Sequence, residues 1–259
     1  ALRIGEEGRG VSTIIEMVHH TRLDCTLAAA GLMRQAVSQA VHHASHRTSF
    51  GRRLVEQPLM QNVLTDLALE VEAATVLSFR IAEAFDASEH SEEARIFARL
   101  AVSLGKFWNN KRIVPVVSEA MECLGGAGYV EESMMPRLFR EAPLNGIWEG
   151  SGNVICLDIL RAMTREPASI ALVLAEISEG LGHSKTFDAH VAKTKEHLTR
   201  VTEYSARRLA QDLALALQGS LLLRYSPNAV SELFCVSRLN GAGGRHLGAL
   251  PSTDASTDI

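Results

Sequence analysis

The sequence predicts an all-α protein: an up-and-down four-helix bundle followed by additional helices. Three features predict it. Met60, Leu64, Leu67, Val71, Ala74, Ser78, Ile81 and Phe85 follow alternating steps of four and three, a mostly apolar seam sustained over more than three heptads. Aromatic residues make up only 5% of the chain, and no stretch alternates with the strand period of two. Glycine, proline and short polar turns separate the periodic segments.

The elements follow in order. Ser12 is placed to cap a helix from near Thr13 to about His46, with Leu23, Leu27, Ala30, Val37 and Val41 at helical spacing. Thr48-Ser49-Phe50-Gly51 interrupts it. Pro58 suits an early position of the second helix, which carries the seam. Asp86 to Ser91 reads as a polar turn. Ser91-Glu92-Glu93 starts a third helix, acidic at its positive end, running to about Leu124 with a bend expected near Pro115. Gly125-Gly126-Ala127-Gly128 stops it. Residues 129–146 read as a connection with one short helical turn, and a fourth helix is expected from about Gly150 to Met163. These four helices belong to residues 1–164. Residues 165–259 form a second region, with helices near 168–180, 186–219 and 227–239 and a Gly/Ser/Thr-rich, frayed stretch from Gly241 to Ile259.

The chain of 259 residues is 46% hydrophobic and 22% charged, enough to bury a core without staples and unlike a disordered, collagen-like or disulfide-rich chain. No run of 18 uncharged apolar residues is present, so no membrane span is expected. A net charge of −4 argues against a chain built mainly to grip nucleic acid. Cys25, Cys123, Cys156 and Cys235 are irregularly spaced and read as reduced thiols. With no targeting segment visible at the start, a cytoplasmic location is expected.

Several chemistries lack their residues. The sequence has no phosphate loop, no strand-to-helix dinucleotide fingerprint, and no nucleophile elbow around Ser151. Glu16 and His19 have a di-metal helix spacing, and His42 and His46 lie one turn apart. No convincing second motif joins them, so no metal site is expected.

The informative stretch is Asn145-Gly146-Ile147-Trp148-Glu149-Gly150-Ser151-Gly152-Asn153. It puts a carboxylate between an aromatic ring and a glycine, just before a helix. Gly150 and Gly152 allow close backbone approach, and Ser151 and Asn153 can bond exposed N–H groups or a ligand at the positive helix end. A carboxylate against apolar surface suits a general base with a raised pKa. A helix cap with an incidental acid is the plain alternative.

Arg47-Thr48-Ser49-Phe50-Gly51, Glu122-Cys123-Leu124-Gly125-Gly126-Ala127-Gly128-Tyr129 and Trp148-Glu149-Gly150-Ser151 occur in one order and at one spacing. In this the chain resembles the C-terminal helical part of the acyl-CoA dehydrogenase family, over residues 1 to about 164. Trp148 through Asn153, Cys156-Leu157-Asp158 and Leu160-Arg161 resemble the AidB-like, alkylation-response branch, as does the segment from Ser226 to Gly248.

The resemblance implies FAD as cofactor, an acyl-CoA thioester as substrate and a homo-oligomer, dimer or tetramer. It makes Glu149 the base that removes the α-proton, with its own backbone N–H as one donor to the thioester oxygen. It makes Arg47 a ligand of FAD phosphates across a subunit interface. Ser49, Phe50, Gln57 and Met60 match further flavin- or adenosine-contacting positions. Glu122, Cys123, Leu124, Gly125 and Gly126 match a second flavin-contacting loop, and Ser151 and Asn153 match the loop closing over the cofactor. Arg22, flanked by His19 and Thr21, together with Trp148 and Arg161, matches the substrate side. Glu122 stands where the fatty-acid enzymes commonly carry glutamine, and Trp148 where they carry tyrosine. Both departures put ordinary fatty acyl-CoA oxidation in doubt. The helical and β-domains that precede this region in the family are outside the sequence. The 259 residues alone are therefore expected to hold FAD poorly and turn over little.

The AidB-like branch also implies weak DNA binding. Residues 165–259 hold ten Lys/Arg against ten Asp/Glu. His190, Lys193, His197, Arg200, Tyr204, Arg207 and Arg208 are expected along one face of one helix, a stripe that could follow phosphates. A solvated helix face is the alternative. An assembly module, built from the bundle's apolar face, is the third function class.

Overall fold

The computed structural model describes residues 2–251. Helices α1 (Gly10–His46), α2 (Pro58–Ala87), α3 (Glu92–Cys123) and α6 (Gly152–Arg165) form the expected up-and-down bundle. Between α3 and α6 run the short helices α4 (Gly126–Tyr129) and α5 (Met135–Glu141), two elements where one turn is expected. Helices α7 (Pro167–Ser178), α8 (Lys185–Leu198), α9 (Ala206–Tyr225) and α10 (Asn228–Phe234) follow.

Helix α1 packs chiefly on α3 and then α2. Its buried residues include the expected Ala30 and Val37 together with Ala29, Met33, Ala36, Ala40 and Ala44; Leu23 and Leu27 are half-buried, and Val41 is exposed. Small side chains let neighbouring axes approach. At Gly105 of α3 an added Cβ would stand 2.5 Å from Ile81 Cδ1 and 2.9 Å from Thr26 Cγ2, so α1, α2 and α3 meet there without room for a methyl group. Ser12 does not cap α1; its hydroxyl donates to the Arg9 carbonyl from inside the helix. On α2 the seam residues Leu64, Leu67, Val71, Ala74, Ser78 and Ile81 are buried as expected. Ser91 caps α3, accepting from the Ala94 N–H at 3.2 Å.

The segment after α1 is a minimal antiparallel hairpin, β1 (Thr48–Ser49) paired with β2 (Arg52–Arg53). Phe50 and Gly51 form its turn with φ of 52° and 81°, the left-handed pair that matches strand twist in two-residue hairpins. Two-residue strands are too short for alternation to register.

The expected helix over 186–219 is two helices. Thr202 has φ −127° and ψ 170°, its N–H bonds the Ser205 hydroxyl, and α8 and α9 fold against each other as an antiparallel pair. Local capping by Thr and Ser beats helix continuation here. The pair closes over Phe187, which is fully buried against Gly180 and Gly219. α7 and α9 cover α3, so one apolar cluster holds Leu100, Leu104, Ile159, Val173, Leu213 and Leu217 together. Residues 241–251 are not frayed. Leu247 and Leu250 are buried, Asn62 exchanges two 3.1 Å hydrogen bonds with the Leu250 backbone, and the Gly248 N–H donates to Asp66. The rest of the expected frayed tail, 252–259, lies outside the described residues.

Candidate functional site

The Trp148–Gly152 segment lies between α1 and α3 and carries two residues in the left-handed region, Glu149 at φ 57° and Gly150 at φ 104°. Glycine adopts this at no steric cost; a glutamate gives up on the order of 1 kcal/mol. The fold offsets that cost with buried cations. Lys106 Nζ donates to the Trp148 carbonyl at 2.8 Å and to the Gly150 carbonyl, and Arg22 Nε donates to the Glu149 carbonyl at 3.1 Å. Charge-assisted bonds of this kind contribute roughly 1.5–3 kcal/mol each. The Trp148 indole N–H donates to the buried Asn145 amide oxygen at 2.9 Å, fixing the other end of the segment. Glu149 itself is half-buried.

Arg22 is held from below. Its terminal nitrogen reaches Asp158 Oδ2 at 2.7 Å, while Arg99 bonds both carboxylate oxygens at 3.0 and 2.9 Å. Ser103 donates to the same carboxylate, and Arg161, exposed, stands 3.8 Å away. Burial pushes the Asp158 carboxyl up, but the hydrogen bonds and charge of Arg99 and Arg22 overcome it and hold it below the usual carboxylate range. His19 borders this group. Burial and the neighbouring arginine charges bring its pKa down to about 4, and its buried Nδ1 has no hydrogen-bond partner among the described residues. Thr21 bonds the Val18 carbonyl of its own helix. Among the substrate-side residues the sequence singles out, the structure brings His19, Arg22 and Arg161 around Asp158, with Trp148 on the segment above.

The expected flavin-binding residues gather elsewhere. Arg47 ends α1, twenty-five residues beyond Arg22 in sequence, so the helical rise puts the two about 37 Å apart. Around the hairpin, Phe50 is 94% exposed, and Gln57 donates to the Ser49 carbonyl at 3.1 Å. Met60 packs half-buried on the core cluster that contains Ala44, Ala120 and Cys123. That cluster brings the ends of α1 and α3 together, so Glu122, Cys123, Leu124, Gly125 and Gly126 share this end of the bundle. Glu122 is exposed; the Cys123 thiol is buried and pushed up to about 12. An added Cβ at Gly125 or Gly126 would meet nothing within 4 Å, and Arg47 is exposed and forms no ion pair among the described residues. This open, cation-bearing end can receive a diphosphate against backbone. Ser151 and Asn153 sit instead at the start of α6, beside Glu149; Asn153 accepts from Arg207 of α9 at 3.3 Å.

Lys106, Asp158, Arg99 and Asn145 escape sequence reasoning as site residues. Lys106 carried one signal: a lone lysine between Gly105 and Phe107 in an apolar stretch.

The basic stripe does not form. His190 and His197 turn inward to Asp212, Arg208 pairs with the same carboxylate, Arg200 pairs with Glu196, and Arg207 lies over the Phe107 ring. The break between α8 and α9 puts His190, Lys193 and His197 on α8, Arg207 and Arg208 on α9, and Arg200 and Tyr204 in the connection between them. All four cysteines are free and buried. No helix among the described residues is long and apolar enough to cross a membrane.

Comparison with known proteins adds a frame. The model for the acyl-CoA dehydrogenase C-terminal domain matches residues 8–164. AidB of Escherichia coli (strain K12) is 41% identical over 94% of this chain and 45% of its own. The crystal structure of Caenorhabditis elegans ACDH-11 in complex with C11-CoA has a TM-score of 0.84 at 27% identity, over 92% of this chain and 46% of that one. An acyl-CoA dehydrogenase complexed with FAD from Bacillus anthracis shares the fold, with TM-score 0.67, 18% identity and coverage of 91% and 48%. The chain spans about half the length of the relatives it matches.

Proposed function

Because the chain belongs to the acyl-CoA dehydrogenase family, we propose that it is the C-terminal helical part of an FAD-dependent acyl-CoA dehydrogenase-like oxidoreductase of the AidB-like branch. Residues 1–164 carry the chemistry in this reading, and 165–259 buttress it. The observation that carries the reading is the Glu149 segment, a half-buried carboxylate on a left-handed turn braced by buried cations.

Glu149 takes the α-proton of the acyl thioester, and its backbone N–H donates to the thioester oxygen as negative charge develops there. FAD, held at its phosphates by Arg47, Gly125 and Gly126, would supply the acceptor for the β-hydride. Trp148, half-exposed on the same segment, borders the acyl group. The Arg22–Asp158–Arg99 group holds the segment and keeps cationic charge nearby. At the other end of the bundle Arg47, Gly125 and Gly126 hold the diphosphate. One FAD cannot join a base and a phosphate ligand separated by the length between Arg22 and Arg47. Each complete site therefore draws Arg47 from a second copy of the chain, which makes a homo-oligomer part of the proposal.

The test is reduction of bound flavin by a saturated acyl-CoA under anaerobic conditions, in the full-length enzyme of which these residues are the C-terminal part, since the 259 residues alone are expected to hold FAD poorly. Glu149→Gln is expected to slow bleaching by about 10²–10⁴-fold while leaving flavin bound. Equal bleaching rates in the two proteins would refute the assignment of the base.

A further inference from the structure

Lys106 lies in the middle of α3 with 1% of its surface exposed. A buried ammonium needs strong partners, and here they are carbonyls: those of Trp148 and Gly150, while Arg22 takes the one between them. Three consecutive carbonyls thus face two inward cations. In a trans peptide the C=O and the following N–H point in opposite directions, and the chain has no cis bond among the described residues. The N–H groups of Glu149, Gly150 and Ser151 must therefore point away from the cations, and none has an acceptor among the described residues.

We propose that Lys106 is a positioning residue for the reaction: by gripping the Trp148 and Gly150 carbonyls it aims the Glu149 N–H at the substrate's thioester oxygen. This rests on the oxidoreductase reading above. An ammonium can supply both bonds because it carries three donors; a methionine supplies none. The grip depends on charge, so it is pH-dependent. Arg22 and Cys25 of α1, Glu149 of the segment and Lys111 of α3 face Lys106. Burial, with Arg22 and Lys111, lowers its pKa to about 8 against the opposing pull of Cys25 and Glu149.

Trp108 and Trp148 are the only tryptophans in the sequence, so Trp108→Phe leaves Trp148 as the sole emitter on the segment. Acrylamide quenching of Trp148, half-exposed with the grip intact, is expected to hold a constant intermediate level below pH 8 and to rise through a midpoint near 8. Lys106→Met should show high quenching and no midpoint, with helicity unchanged by circular dichroism. Lys106→Arg should keep the intermediate level of quenching and lose the midpoint. In the FAD-loaded full-length enzyme with butyryl-CoA as probe, Lys106→Met should lower kcat by about 10²-fold, the size of losing one oxyanion donor, with KM little changed. Quenching and its pH profile unaltered in Lys106→Met overturns the proposal, and so does an unchanged kcat. A full-length protein carrying this helical part that neither binds flavin nor turns over would instead defeat the oxidoreductase reading, and the Trp148 measurement on the 259 residues would still decide whether Lys106 holds the segment.

Discussion

Asp158→Ala isolates the ionic support under the Glu149 segment. The carboxylate is buried and accepts from Arg22 at 2.7 Å, from Arg99 at 2.9 and 3.0 Å and from Ser103 at 3.3 Å. Its removal leaves Arg22, 8% exposed, as a buried cation with only the Glu149 carbonyl as partner. Breaking a buried pair by deleting one partner costs about 3–5 kcal/mol. Arg99, with 23% of its side chain exposed, recovers water and places the expected loss near the lower bound, about 3 kcal/mol. For a chain of this size that is a drop in Tm of about 6–12 °C. The assay is thermal unfolding at pH 7, with Asp158→Asn to separate charge from shape and Asp158→Ala/Arg22→Met to remove the stranded cation. The double variant should recover about 1–3 kcal/mol of the loss as coupling.

The pH dependence fixes the sign. Asp158 has its folded pKa held below the unfolded value, so its contribution is complete above the unfolded pKa and is lost as pH falls through the folded one. The stability gap between the parent chain and Asp158→Ala should be widest at neutral pH and close in acid below about pH 4. A loss smaller than about 1 kcal/mol, the worth of an exposed pair, or a gap that does not close in acid would show that the network does not carry the segment.

Gly105→Ala should destabilise by about 1–2 kcal/mol in thermal unfolding, because overpacking at the α1–α2–α3 meeting point outweighs alanine's better helix propensity; a stabilised variant would contradict the close approach. His19 is held neutral by burial, so stability should be full above its ordinary pKa of about 6.5 and decline as pH falls toward 4, with His19→Gln flattening that limb of the unfolding profile. Arg200→Glu/Arg207→Glu should leave DNA retention on a heparin-calibrated column unchanged, since these residues pair locally and share no continuous stripe; lost retention would restore the stripe. Sedimentation at micromolar concentration should give a dimer or tetramer, and a clean monomer would remove the second copy that Arg47 needs.

Periodicity reported the bundle because burial on α2 is carried by side chains of one class at fixed steps. It failed where a short polar signal competed with it. Thr202 and Ser205 close a cap inside a stretch that reads as one helix, and that single turn reverses the chain and dissolves the basic stripe. On α1 the expected apolar residues Ala30 and Val37 are buried and Val41 faces solvent, while Ala29, Ala36, Ala40 and Ala44 carry burial that the larger side chains did not announce. The segment around Glu149 was legible by its glycines, and Gly150 is indeed in the left-handed region. Its supports were not. Lys106 and Asp158 sit 43 and 9 positions from Glu149, and nothing local to either says which carbonyl or guanidinium it will meet.

That pattern has a physical reason. A base and its glycines are selected by what approaches them, and those constraints are written into adjacent residues. The orientation of a peptide group is set by whatever attracts its carbonyl from behind, and in a helical bundle that attraction comes from another helix. Here Lys106 and Arg22 each spend a buried charge on backbone oxygens, with Asp158 balancing Arg22 at the price of a third buried ion. Hydrophobic side chains of the same volume would pack α1, α3 and α6 at lower electrostatic cost. Three buried ions converging on one four-residue segment therefore mark an orientation that packing alone does not hold, and the N–H groups of 149–151 are what that orientation exposes.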